Sequence, residues 1–225
     1  MHTNDAWPRL ERLDTERSLV APAFDPPYES PIEEMFAWDF GKYCAETLDL
    51  RKQVSRQTRC GVFRVDFLAY LNGGFRVALE CDGIAFHESL RDEWRDAILL
   101  GDDHVDAVVH MRGPDLFYHG NDVLYVLTRL YPELFSERGL VLLDRLASDA
   151  ALKTMTWVSP GVAHVEYPED EELDAPAADL WVVHRSRHML RVASPTWRRY
   201  HDFATAAGGG NLVKLMEEYA TRRTS

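Results

Sequence analysis

The chain has 225 residues, 46% of them apolar, and a formal net charge of −12, a composition that fills a globular core. It lacks a run of ~18 uncharged apolar residues, so no transmembrane helix is expected, and its charged opening, MHTNDAWPRLERLDTERSLV, lacks the basic-then-apolar order of a signal peptide. Cys44, Cys60 and Cys81 are odd in number and without CxxC spacing, which argues against a disulfide framework and a zinc site and makes a reducing cytoplasm the expected location.

Residues 1–27 form an arm with scattered prolines and a short helix expected around Trp7–Leu19. Ser30-Pro31-Ile32-Glu33 then opens a helix, with Ser30 as N-cap, Pro31 in the first turn and Glu33 at capping-box spacing. Ile32, Phe36, Phe40 and Tyr43 give that helix a buried face, and the pattern carries it to about Leu48. From Arg51 to Arg64 there are five basic residues (Arg51, Lys52, Arg56, Arg59, Arg64) and no acid. Phosphate binding depends on such local patches more than on total charge, although a solvated basic face explains this one equally well. The C-terminal stretch 181–225 is also basic, with eight Lys/Arg against three Asp/Glu, while residues 1–180 hold 17 against 34.

Val62 to His87 reads as two strands. Phe63, Val65, Phe67 and Ala69 alternate on the first, Phe75 to Leu79 carries the second, and Asn72-Gly73-Gly74 supplies residues that tolerate positive φ in the turn. Two acids interrupt these apolar strands, Asp66 in the first and Glu80 in the second, followed at once by Asp82-Gly83. Burying an unpaired carboxylate is costly, so such acids meet a cation. Two carboxylates on adjacent strands form a ready site for a hard divalent metal such as Mg²⁺.

Beyond the hairpin, Ser89 to Leu100 is predicted as an amphipathic helix closed by Gly101. Val105 to Met111 reads as a third strand ended by Gly113-Pro114, and Asp122 to Leu130 as a helix stopped near Pro132. This order describes an α/β fold, a mixed sheet flanked by helices. Further on, Leu140–Ala151 looks helical, Met155–Val158 and Val162–Tyr167 strand-like, and Pro168–Pro176 an acidic surface loop. Leu180–His184 and Met189–Val192 suggest a hairpin around Arg185-Ser-Arg187, and helices are expected over Pro195–Ala207 and Asn211–Thr221. The expected domains are an arm at 1–27, a core at 28–135 and a small α+β extension at 136–225. His104, His110 and His184 lack metal-ligand spacing and read as structural. Trp181, Trp197 and Tyr200, interleaved with arginines, read as core aromatics of the extension rather than as a base-stacking platform.

Ser30-Pro-Ile-Glu33, Gln57, Val65-Asp66-Phe67, Glu80-Cys-Asp82-Gly83, His87 and Asp92…Arg95 follow one another as in a group related to the very-short-patch-repair endonucleases. Over roughly residues 28–131 the chain thus resembles the PD-(D/E)XK, restriction-endonuclease-like superfamily. The resemblance implies a nuclease core in which Asp66 and Glu80 bind Mg²⁺ (or Mn²⁺), with the Cys81 backbone carbonyl as a further ligand and Glu33 completing the site. The pattern's lysine is replaced here by Asp82, so another group must act on the water or leaving group. His87 is the first candidate as general acid or base. Gln57 is placed to position water or phosphate, and Asp82 to hold a second ion. Arg56, Arg59, Arg64 and Arg95 are the candidate nucleic-acid contacts.

The expected activity is therefore a metal-dependent endonuclease acting on DNA phosphodiesters in a defence, repair or mobile-element setting, as a homodimer or with a recognition partner, and without a membrane. The rival expectation is a catalytically silent nuclease-fold module that binds nucleic acid or protein, which the missing lysine and the acidic surface favour.

Overall fold

A computed structural model of the chain describes residues 28–83, 89–168, 179–192 and 197–224. His87, the helix expected over Trp7–Leu19 and most of the acidic loop after Pro168 lie outside them.

Seven strands form one mixed, mostly antiparallel sheet flanked by helices. In chain order the described elements are α1 (Pro31–Gly41), β1 (Asp49–Thr58), β2 (Gly61–Tyr70), β3 (Arg76–Asp82), α2 (Ser89–Gly101), β4 (Ala107–Arg112) and α3 (Gly113–Leu130). There follow α4 (Glu137–Leu146), α5 (Asp149–Thr154), β5 (Thr156–Ser159), β6 (Val162–Val165), β7 (Leu180–Ser186), α6 (Arg187–Val192), α7 (Arg198–Ala206) and α8 (Leu212–Thr224). The sheet order is β1-β2-β3-β4-β7-β6-β5, so the strands after residue 136 extend the same sheet. No helix among the described residues is long and apolar enough to cross a membrane.

The chain divides into two compact units, each drawn from several stretches. One takes the described residues of Met1–Asp49, Cys81–Ile84 and His110–Val183, the other those of Leu50–Glu80, Ala85–Val109 and His184–Ser225.

In the first unit α1 packs on α3, and α3 on α4. Phe36 and Phe40 stack with ring centroids 5.4 Å apart, and Phe135 meets Phe40 edge-on at the same distance. Ser30 caps α1 as expected, its hydroxyl accepting from Glu33 N–H at 3.2 Å. The helix stops at Gly41, short of Leu48, because its neighbours take up the backbone: Ala45 N–H bonds Leu134 O at 3.0 Å, and Cys44 bridges to Phe135. Pro114 begins α3 directly after β4 rather than merely ending the strand, with Asp115 in the first turn. Asp115 is 1% exposed and is held by Arg112 Nε at 2.7 Å and by the Trp181 N–H at 3.0 Å.

The helix expected over Leu140–Ala151 is two helices, because Ser148 caps a new one through the Ala151 N–H. Ser148 is fixed in turn by buried Asp122, which accepts from its N–H and its hydroxyl at 2.7 Å each and from the Tyr167 hydroxyl at 2.6 Å.

The second unit is built on the β2–β3 hairpin. Gly73 and Gly74 sit at φ 75° and 79°, the left-handed turn conformation the sequence requires there. Phe67 pairs with Leu79 and Leu68 with Ala78. Leu68 and Ala78 lie in a core with Trp94, Ala97 and Ile98 of α2 and with Trp197, Tyr200, Ala204, Leu212 and Leu215 of the C-terminal region. Tyr200 stacks on Trp94 at 4.6 Å, so Trp197 and Tyr200 are core aromatics.

Gly101 closes α2, and its lack of a side chain has a packing reason. A Cβ there would lie 2.1 Å from Cδ2 of His201, while the left-handed residue after the helix is Asp103, at φ 64°. Residues Met189–Val192 are helical, not a strand: Ser186 caps that turn by accepting from the Met189 N–H at 3.3 Å.

Candidate active site

The two strand acids follow the last register pair. Asp66 precedes Phe67 and Glu80 follows Leu79, and by strand alternation they fall on the side that carries Leu68 and Ala78. The stripe beneath α2 therefore changes from apolar to acidic at this end, and the helix changes with it. Trp94, Ala97 and Ile98 cover the apolar part, while Arg95 reaches the acids.

Arg95 Nη2 donates to Glu80 Oε1 at 2.7 Å and also to the Arg64 carbonyl, so one guanidinium bridges both strands. The Glu80 side chain is 4% exposed and that of Arg95 20%. Burial works against the Arg95 charge, but the carboxylates of Glu80, Asp96, Asp66 and Asp92 outweigh it and hold its pKa above the ordinary arginine value. Asp96, wholly buried on the same helix, has Arg185 Nη1 at 2.5 Å.

Asp82 and His110 belong to the other unit. Two residues after Glu80 on β3, Asp82 meets Nδ1 of buried His110 on β4 at 3.0 Å. A carboxylate accepts, so Nδ1 is the nitrogen that carries the hydrogen. The end of β3 lies close to the start of α1: a Cβ on Gly113 would meet the Asp82 carbonyl at 3.1 Å and Ile32 Cγ1 at 3.5 Å. Glu33, next to Ile32, is 5% exposed and accepts from the Glu29 N–H at 3.2 Å, a variation on the expected capping box.

The remaining candidates are dispersed. Gln57 is exposed on β1, its amide donating to the Thr58 carbonyl at 3.3 Å. Arg59 is drawn into an ion pair, with Nε 2.9 Å from Asp102 and Nη1 2.8 Å from the Thr205 hydroxyl. Arg56 donates to the Tyr70 hydroxyl at 2.8 Å, and Arg51 lies over the same ring at 4.6 Å. Gln53, at φ 52°, breaks the alternation of β1 between those two arginines, so an odd and an even position reach one side. Arg64 is exposed, and Cys81 carries a buried thiol that is not in a disulfide. No group of three or more His, Cys, Asp or Glu side chains is placed to hold a metal among the described residues.

One feature is not in the sequence reading. The helix spacing of Asp92 and Arg95 suggests a surface pair, with Arg95 as a phosphate contact the alternative, whereas its guanidinium is turned inward to Glu80. His110, read as structural, is buried against Asp82.

Compared with known proteins, the chain matches no family model, and no curated protein or solved structure matches it.

Proposed function

We propose that the chain is a metal-dependent endonuclease hydrolysing DNA phosphodiesters, with Asp66 and Glu80 as the carboxylates that hold the ion. The observation that supports this reading is a buried strand carboxylate, Glu80, beneath an arginine, with Asp66 on the neighbouring strand one residue before the Phe67–Leu79 pair. The order of motifs from Glu33 to Arg95 adds to it. Two carboxylates, with the Cys81 carbonyl as the adjoining peptide oxygen, are a hard donor set that fits Mg²⁺ or Mn²⁺. Mg²⁺ binds proteins through one or two carboxylates and keeps water and substrate phosphate in the rest of its shell.

When bound, such an ion lowers the pKa of a coordinated water and neutralises charge growing on the phosphate. The residues of the chain supply the rest. Asp66 and Glu80 would hold the ion, and the packed hairpin keeps them in place. The planar N–H donors of Arg95 match a phosphate oxygen pair, so this arginine is the natural stand-in for the lysine that Asp82 replaces. His87 is the group proposed for moving a proton. Arg51, Arg56 and Arg64 offer backbone contacts whose strength will fall with salt.

A second reading, a silent binding module, is favoured by one specific observation: Glu80 already has a cationic partner in Arg95. End-labelled duplex DNA and a matched RNA strand, incubated with Mg²⁺ and with chelator, separate the two. Cleavage of DNA that chelator stops supports the nuclease; a mobility shift without cleavage under either condition supports the binder, and cleavage of RNA alone moves the substrate class.

A further inference from the structure

We propose that Arg95 is an internal competitor for the divalent cation: it occupies Glu80 until the ion displaces it, and so sets the ion concentration at which the site loads. This rests on the metal-binding reading of Asp66 and Glu80 above.

Three observations carry the inference. The Arg95 guanidinium lies 2.7 Å from Glu80 Oε1, and the Glu80 side chain is only 4% exposed, so this charge is compensated from within the protein. Arg95 is also anchored on the Arg64 carbonyl, which places its positive charge across the two strands that carry the acids. Asp96, one residue along the helix, has its own arginine in Arg185. The charge of Arg95 is therefore directed at the hairpin acids.

An ion drawn to Asp66 and Glu80 arrives within a few ångströms of a like charge. Repulsion at that range in a partly buried site is strong, whereas the same pair in water would hardly feel it. Loading and release of Arg95 are thus opposite sides of one exchange. Once Glu80 is taken by the ion, the guanidinium N–H groups turn to the nearest acceptor, and a phosphate oxygen delivered with the nucleic acid is the matching one. By linkage, a bound phosphate that engages Arg95 tightens ion binding, and the ion tightens phosphate binding by the same factor.

The test is Mn²⁺ binding to the full chain without nucleic acid, followed by the electron paramagnetic resonance of the free ion, for wild type, Arg95→Met, Arg95→Lys and Asp66→Asn. Arg95→Met is expected to lower the half-saturating Mn²⁺ concentration by about tenfold or more, as removal of a nearby like charge requires. Arg95→Lys keeps the charge and serves if the methionine variant does not fold; losing the fork that spans both strands, it should give a smaller, roughly fewfold tightening.

Equal half-saturation in wild type and both Arg95 variants overturns the proposal while leaving the metal site standing, provided Asp66→Asn weakens binding. Saturable binding that appears only once Arg95 is removed supports it in its strongest form. Absence of saturable binding in every variant overturns both the proposal and the metal reading beneath it.

Discussion

Two clusters of acids and arginines in the same unit make an instructive pair. At the turn end of the hairpin, Arg76 and Arg187 share Asp103 and Asp106: Arg76 Nε lies 2.9 Å and Arg187 Nη1 2.8 Å from Asp106, and the Arg76 N–H adds a further bond to that carboxylate. Arginines and acids are matched, each acid sits beside a turn, and the group clamps β3, β4 and α6. Burial alone would raise the pKa of Asp106, but its hydrogen bonds to Arg76 and Arg187 prevail and lower it. At the other end of β3, Glu80 is paired with Arg95, while Asp96, next to Arg95 on α2, is held by Arg185. The first cluster has the design of a clamp; the second, where buried Glu80 depends on Arg95, is the one proposed to take a metal ion.

Substitutions should break this comparison in opposite ways. Asp66→Ala should reduce nicking of supercoiled plasmid by about a hundredfold or more, as loss of a group that would hold the charge-stabilising ion does, with the fold retained by circular dichroism. Asp106→Ala should leave nicking per folded molecule unchanged and cost about 2–4 kcal/mol in urea unfolding, since two partly buried arginines lose their acceptor. Cleavage lost in Asp106→Ala at full stability would erase the distinction.

A smaller effect belongs to Gly101→Ala. Its new methyl meets the ring of His201, which also contacts Asp102 at 3.1 Å, and overpacking of this kind costs about 1–3 kcal/mol. A melting temperature equal to wild type would mean that the ring moves freely.

How much of this was legible beforehand follows from what a sequence encodes locally. The hairpin was, because alternation, the Asn-Gly-Gly turn and the two misplaced acids are all short-range signals. The Ser30 cap was legible for the same reason. The end of α1 was not, since Gly41 becomes a terminus only through hydrogen bonds to a segment some ninety residues on. Nor was the inward turn of Arg95, whose helix spacing equally allows a surface pair with Asp92. The partner of His110 was not legible either, because Asp82 is 28 residues away and only strand pairing brings them together.

Acid should separate buried histidine from paired carboxylates. Burial pushes His184 down to about 4. Between the unfolded value, roughly 6.5, and that folded value the unfolded chain takes up a proton the fold refuses, so stability falls as pH drops through this window, by at most about 3 kcal/mol. The lowered carboxylates Asp102 and Asp106 lose their contribution only below the ordinary aspartate range. His184→Gln should flatten the upper window of the stability-against-pH curve and leave the lower one. The exposed Arg198–Asp202 pair, 3.8 Å apart, marks the bottom of the scale: Arg198→Ala should change stability by no more than about 0.5 kcal/mol.

The central claim is that Asp66 and Glu80 together support metal-dependent cleavage. The most direct measurement is the nicking rate of supercoiled plasmid across a Mn²⁺ titration, for wild type beside Asp66→Asn and Glu80→Gln of verified fold. The account predicts a rate that rises with Mn²⁺ and saturates in wild type and is lost in both variants. Cleavage that persists in either variant, or wild-type protein that leaves the plasmid intact at every Mn²⁺ concentration, would contradict it.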